Sequence, residues 1–139
     1  MDTNVTAVAS GAARGPRDLV ALEFDDTFVR ALPGDPDDRP VSRQVPGVSW
    51  SPVRPTPVAA PRLLAWSDEV ADLLGIARPA DAEGPAVDVL AGNRVLPTMR
   101  PYAARYGGHQ FGNWAGQLGD GRAITLGEVV RDGARLELQ

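Results

Sequence analysis

Apolar residues fall at clear helical spacing in one stretch, where Val70, Leu73 and Leu74 occupy positions i, i+3 and i+4. Ser67 stands where an N-cap is wanted, with Asp68 and Glu69 in the first turn and Gly75 as a C-terminal stop. This predicts the best helix, within residues 61–76. A second, weaker helix is predicted over 86–91, ending near Gly92 and Asn93. Strand periodicity appears at the other end of the chain. Residues 134–139 read ARLELQ, with Leu136 and Leu138 on one face and Arg135 and Glu137 on the other. Residues 123–130 read AITLGEVV, and Arg131, Asp132 and Gly133 between the two runs predict a hairpin turn. Two strands do not make a stable sheet, so the pattern predicts an unfinished sheet and a chain that stops within it.

Elsewhere the pattern is less regular. Residues 1–18 are small, polar and aperiodic and are expected to form a disordered tail. Between 19 and 32, the spacing of Leu19, Leu22, Phe24, Phe28 and Leu32 fits either a short helical face or a strand and turn. Residues 33–40, PGDPDDRP, predict a turn-rich loop. Pro46, Pro52, Pro55 and Pro57 exclude interior helix from 41–60, because each lacks a donor N–H and clashes with the preceding turn. That segment is expected to be an extended arm packed on its own domain, anchored by Val48, Trp50 and Val53. The other reading is a proline-rich ligand for a partner's aromatic groove.

Composition narrows the chemistry. The 139 residues suffice for one domain, and 43% hydrophobic with 23% charged residues is ordinary globular usage. The formal net charge of -4 argues against a nucleic-acid partner. No apolar run reaches the roughly 18 residues of a membrane span, and no secretory signal is recognisable. There is no cysteine and no lysine; all 14 basic residues are arginine. Thiol catalysis, Schiff-base lysines and lysine-based phosphate pairing are therefore closed to these residues. A single histidine, His109, excludes a multi-histidine metal site.

Candidate chemistry lies in residues 106–121, YGGHQFGNWAGQLGDG. Glycine-rich backbone can bring amides close to a ligand. Gly119-Asp120-Gly121-Arg122 sits just before the first strand of the hairpin. Glycine amides followed by a guanidinium would form an anion site for phosphate oxygens, and the competing reading is an ordinary structural turn. Asp120 reads as a turn residue, His109 as a hydrogen-bonded structural histidine, and Phe111 and Trp114 as core anchors.

Several stretches occur together in an order that resembles one family: FDDTFVRALPGDP at 24–36, VPGVSWSPVRPTPVAAPRLLAWS at 45–67, and AGNRVLPTMRPYAARYGGHQFGNWAGQLGDGRAITLGEV at 91–129. They are similar to the SelO (YdiU) protein adenylyltransferases, over about residues 19–139. GGHQFG followed by QLGDGRA is the specific part. The resemblance implies an α+β fold, the N-terminal portion of a protein-kinase-like domain, built of an extended proline arm, short helices, a glycine-rich loop and a β-hairpin. It implies ATP as nucleotide, magnesium or manganese as metal, and transfer of AMP to Ser, Thr or Tyr hydroxyls of protein substrates. The resemblance also allows transfer of UMP in place of AMP. Gly119, Gly121 and Arg122 match the family's nucleotide-contacting residues. The family's pairing lysine, catalytic aspartate and metal ligands match nothing here, so no catalytic or metal-ligating residue is assigned and the chain alone is expected to be inactive. A cytoplasmic location in a bacterium is the default expectation. The alternative is a truncated non-catalytic protein that binds a partner through its proline arm.

Overall fold

The computed structural model describes residues 15–39, 41, 43–119 and 122–139. It is a small α+β structure of short helices and antiparallel two-stranded ladders. The helices are α1 (Thr27–Ala31), α2 (Asp68–Leu74) and α3 (Pro85–Leu90), and a single 3-10 turn covers Leu19–Ala21. The strands are β1 (Trp50–Pro52), β2 (Tyr102–Ala104), β3 (Tyr106–Gln110), β4 (Asn113–Leu118), β5 (Gly127–Arg131) and β6 (Ala134–Leu138). They pair as β1–β2, β3–β4 and β5–β6. Isolated bridges stitch these units together, Tyr102 to Thr125, Asp25 to Glu128 and Gly34 to Trp50.

The α2 helix forms for the local reasons its sequence carries. The Ser67 hydroxyl accepts the Val70 N–H at 3.3 Å, and Gly75 closes the helix at φ 69°, in the left-handed region that glycine occupies without penalty. Its buried face differs from the expected one. Ala71 and Leu74 are buried, whereas Val70 and Leu73 are 52% and 61% exposed. A two-turn helix has room for one i, i+3 pair against the core. The small Ala71 takes the inner position and rotates Val70 and Leu73 outward.

The core gathers Leu19, Leu22, Phe24, Ala71, Leu74, Ile76, Val89, Leu96, Met99, Leu126 and Val129. The segment after residue 18, whose spacing fitted two conformations, contains both: the 3-10 turn, an extended piece bridging β5, and then α1. Glu128 of β5 is buried, and its Oε2 accepts the Phe28 N–H at 3.0 Å while its Oε1 pairs with Arg135 at 3.3 Å. Arg17, placed by the sequence pattern in the tail, instead bridges Ile76, donating its N–H to Gly75 at 2.9 Å. Asp18, also placed in that tail, caps the 3-10 turn by accepting the Val20 N–H at 3.0 Å, and residues 1–14 lie outside the described residues.

The β5–β6 hairpin turns at Asp132-Gly133, with φ of 50° and 80°, as the Asp-Gly signal predicts. The proline segment is extended and folded onto its own chain. Val53 donates to Pro101 at 3.2 Å, Arg105 donates to Ser49 at 2.8 Å, and the Trp50 Nε1–H donates to Leu32 at 3.1 Å. Its expected anchors Val48, Trp50 and Val53 are half-buried; the fully buried residue of β1 is Ser51.

Candidate functional site

Residues 106–118 form a hairpin rather than a loop. Strands β3 and β4 pair from Tyr106–Leu118 to Gln110–Asn113, with a register shift between Gly108 and His109. Phe111 and Gly112 make the two-residue turn, both at positive φ. Phe111 is fully exposed and Trp114 is 63% exposed, so neither anchors the core. Their hairpin pairs with itself, and Trp114 lies across Gly107 and meets the His109 ring edge-on at 5.1 Å. His109 is exposed and outside the lining of the cleft described next.

The chain leaves β4 at Leu118 and enters β5 at Gly127. Gly119 sits at φ 97°, and a Cβ there would run into the carbonyl oxygen of Ala104 in β2. Glycine is thus required twice over, by conformation and by close backbone approach. Asp120 and Gly121 lie outside the described residues. Gly119 and Arg122 line a common cleft of about 570 Å³. The facing wall comes from Arg39 of the loop before the proline arm and from Arg43 and Arg54 of the arm, and Arg105 lines it from the β2–β3 junction. Five arginines and the carboxylates of Asp37 and Asp38 line this cleft. Arg39 is paired with Asp37, and Arg43 and Arg105 with Asp35, while Arg54 and Arg122 bring guanidinium groups of the kind that meet phosphate oxygens.

Beneath this cleft is a polar cluster with no counterpart in the sequence pattern. Asp35 has a side chain only 2% exposed. Its Oδ2 accepts from Arg43 Nη2 at 2.5 Å, Ser51 Oγ at 3.0 Å and Arg105 Nη2 at 3.3 Å, and its Oδ1 accepts the Asp37 N–H at 3.0 Å. Burial pushes the carboxyl up, but the donors from Asp37, Arg43 and Ser51 outweigh it and hold it below the ordinary carboxylate range. Among the described residues, no group of three His, Asp or Glu side chains is arranged to hold a metal. None of the described helices is long and apolar enough to cross a membrane.

Known proteins share this layout of sequence. The family model described as protein adenylyltransferase SelO matches residues 40–139. A protein nucleotidyltransferase YdiU from Nitrosospira multiformis is 66% identical over 123 residues, 88% of this chain and 22% of that protein. The protein of the same name from Azoarcus sp. is 62% identical over 119 residues, 85% of this chain and 23% of its own. One from Tolumonas auensis is 56% identical over 122 residues, with 87% and 23% covered. The chain therefore spans under a quarter of the length of the curated relatives it matches. The family match takes in the whole proline arm, the β3–β4 hairpin and the Gly119–Arg122 segment, and on that footing this chain belongs to the SelO family.

Proposed function

We propose that this chain supplies part of the phosphate cradle of a nucleotidyltransferase that moves AMP from ATP to a hydroxyl of a protein substrate. The observation that carries the reading is the cleft: Gly119 at positive φ and Arg122 share it with arginines of the facing arm, between the strands β4 and β5. Backbone amides and guanidinium groups are the donors that triphosphate oxygens require. Residues 19–139 then form the N-terminal part of a kinase-like domain, with Gly119, Gly121 and Arg122 as nucleotide contacts. In the transfer the substrate oxygen attacks the α-phosphorus, the bond to pyrophosphate breaks, and the hydroxyl proton passes to a base. Magnesium or manganese would neutralise the phosphate charge, and none of the described residues is assigned to hold it. The chain contains no lysine, and charge neutralisation by lysine and metal dominates such reactions. By itself the chain binds and does not transfer. The partner-ligand reading of the arm is weaker, since the arm's backbone is engaged with Pro101, Ser49 and the β1–β2 ladder.

The test is a transfer assay with α-phosphate-labelled ATP and a protein acceptor. The chain alone should leave no label on protein. A chimera joining it to the remaining four-fifths of the Nitrosospira relative should label the acceptor, and Arg122→Ala should cut that rate about tenfold or more, as expected for a lost charge-assisted hydrogen bond. Label transfer by the chain alone, or a chimera indifferent to Arg122→Ala, contradicts the proposal.

A further inference from the structure

Gly119 cannot place its amide toward a phosphate unless the strand ends around it are held still. Two side chains tie those ends to the proline arm. Gln117, two residues before Gly119, uses both ends of its amide: Nε2 donates to the Arg43 carbonyl at 3.3 Å, and Oε1 accepts the Val45 N–H at 2.8 Å. Arg105 follows Ala104, the residue whose carbonyl Gly119 abuts. Its side chain is 9% exposed, and all three of its donor groups are used. Nε donates to Ser51 Oγ at 2.6 Å, Nη1 to the same Arg43 carbonyl at 3.3 Å, and Nη2 to Asp35 Oδ2 at 3.3 Å. The Arg43 carbonyl thus accepts from both tethers. Arg43 itself is fixed by its 2.5 Å contact with Asp35.

We propose that Arg105 and Gln117 are positioning residues. They brace the Gly119 backbone against the arm and so preset the phosphate donors of the cleft. This rests on the nucleotide-binding reading given above. The two residues act through Asp35, Ser51 and the Arg43 backbone. Preorganised donors bind without the cost of ordering a loop, so loosening the brace weakens binding while the rest of the fold stands.

The test uses 15N relaxation on the whole chain, with Arg105→Gln and Gln117→Leu. In the unsubstituted chain the Gly119 amide should have an order parameter near the rigid value of about 0.85; in either variant it should fall below about 0.6. Residues of the β5–β6 ladder should not change, which separates loss of positioning from loss of fold. Gln117→Leu removes no charge and carries the test if Arg105→Gln unfolds. In parallel, the dissociation constant for ATP should rise about fivefold or more in the folded variants. The inference is overturned if Gly119 is already mobile in the unsubstituted chain, if it stays rigid in the folded variants, or if it loosens with ATP affinity unchanged. Failure of the unsubstituted chain to bind ATP would instead overturn the nucleotide reading, and the relaxation data would still decide whether the brace exists.

Discussion

Asp35 is a buried carboxylate held ionised by four donors, and its protonation should be felt throughout the arm. Its folded pKa lies below the ordinary value of about 3.9, so folding favours the charged form. The stability it contributes is complete above that ordinary value and is lost as pH falls through the folded pKa. Asp25, Asp26 and Asp37 act in the same direction, lowered chiefly by hydrogen bonds from Thr27, Arg30 and Arg39 respectively. Thermal unfolding followed from pH 7 downward should therefore show a falling midpoint below about pH 4, and Asp35→Asn should flatten that acid limb. At neutral pH the same variant leaves Arg105 short of its charge partner and Arg43 with Asp37 alone, and should cost about 3 kcal/mol. An acid limb unchanged by Asp35→Asn would show that the cluster does not hold the fold. Tyr102 is displaced the other way: burial first, then Glu137 and Glu128, push its hydroxyl up to about 12. It therefore stays protonated at neutral pH and donates to Glu137 at 3.1 Å.

Single elements divide by whether their signals are local. The Ser67 cap, the Gly75 stop and the Asp132-Gly133 turn each lie within a few residues of what they control, and the structure has all three. The prolines excluded helix from the arm by a purely local clash. The β3–β4 hairpin was not legible, because YGGHQ and NWAGQL lack β-branched alternation and the Phe111-Gly112 turn is not a common hairpin pair. With no third strand over it, Trp114 covers a glycine instead of entering the core. The brace was equally hidden: Arg105 and Asp35 are 70 residues apart, and Gln117 reaches Val45 across 72. Of the candidate site, spacing singled out Gly119 and Arg122 but left an anion site and a structural turn both open, and it did not indicate the wall facing them. Two substitutions test the α2 termini. Ser67→Ala should cost about 1 kcal/mol. Gly75→Ala should cost more than about 1 kcal/mol, since the position is left-handed and the added Cβ meets the Arg131 guanidinium. Chemical denaturation checks both, and a neutral Gly75→Ala would contradict the left-handed closure of α2 beside Arg131.

At the scale of the molecule, the three ladders are joined by isolated bridges and by one apolar cluster drawn from both ends of the chain. Leu19 and Val89 are its most enclosed members, at 1% and 0% exposure. Leu19→Ala should cost about 2–5 kcal/mol, the usual range for a buried leucine, and should loosen α3 and β5 together. Calorimetry would show this as one lowered transition. Arg43 and Arg54 of the arm and Gly119 and Arg122 after β4 line the same cleft. The central claim is that this cleft grips nucleotide phosphates. The direct measurement is an amide chemical-shift titration of the 15N-labelled chain with ATP at low and high salt. The account predicts saturable shifts centred on Gly119 and Arg122 and extending to the arm at Arg43 and Arg54, weakened by salt and by Arg122→Ala. Shifts that map elsewhere, or no saturable shift at any ATP concentration, would contradict it.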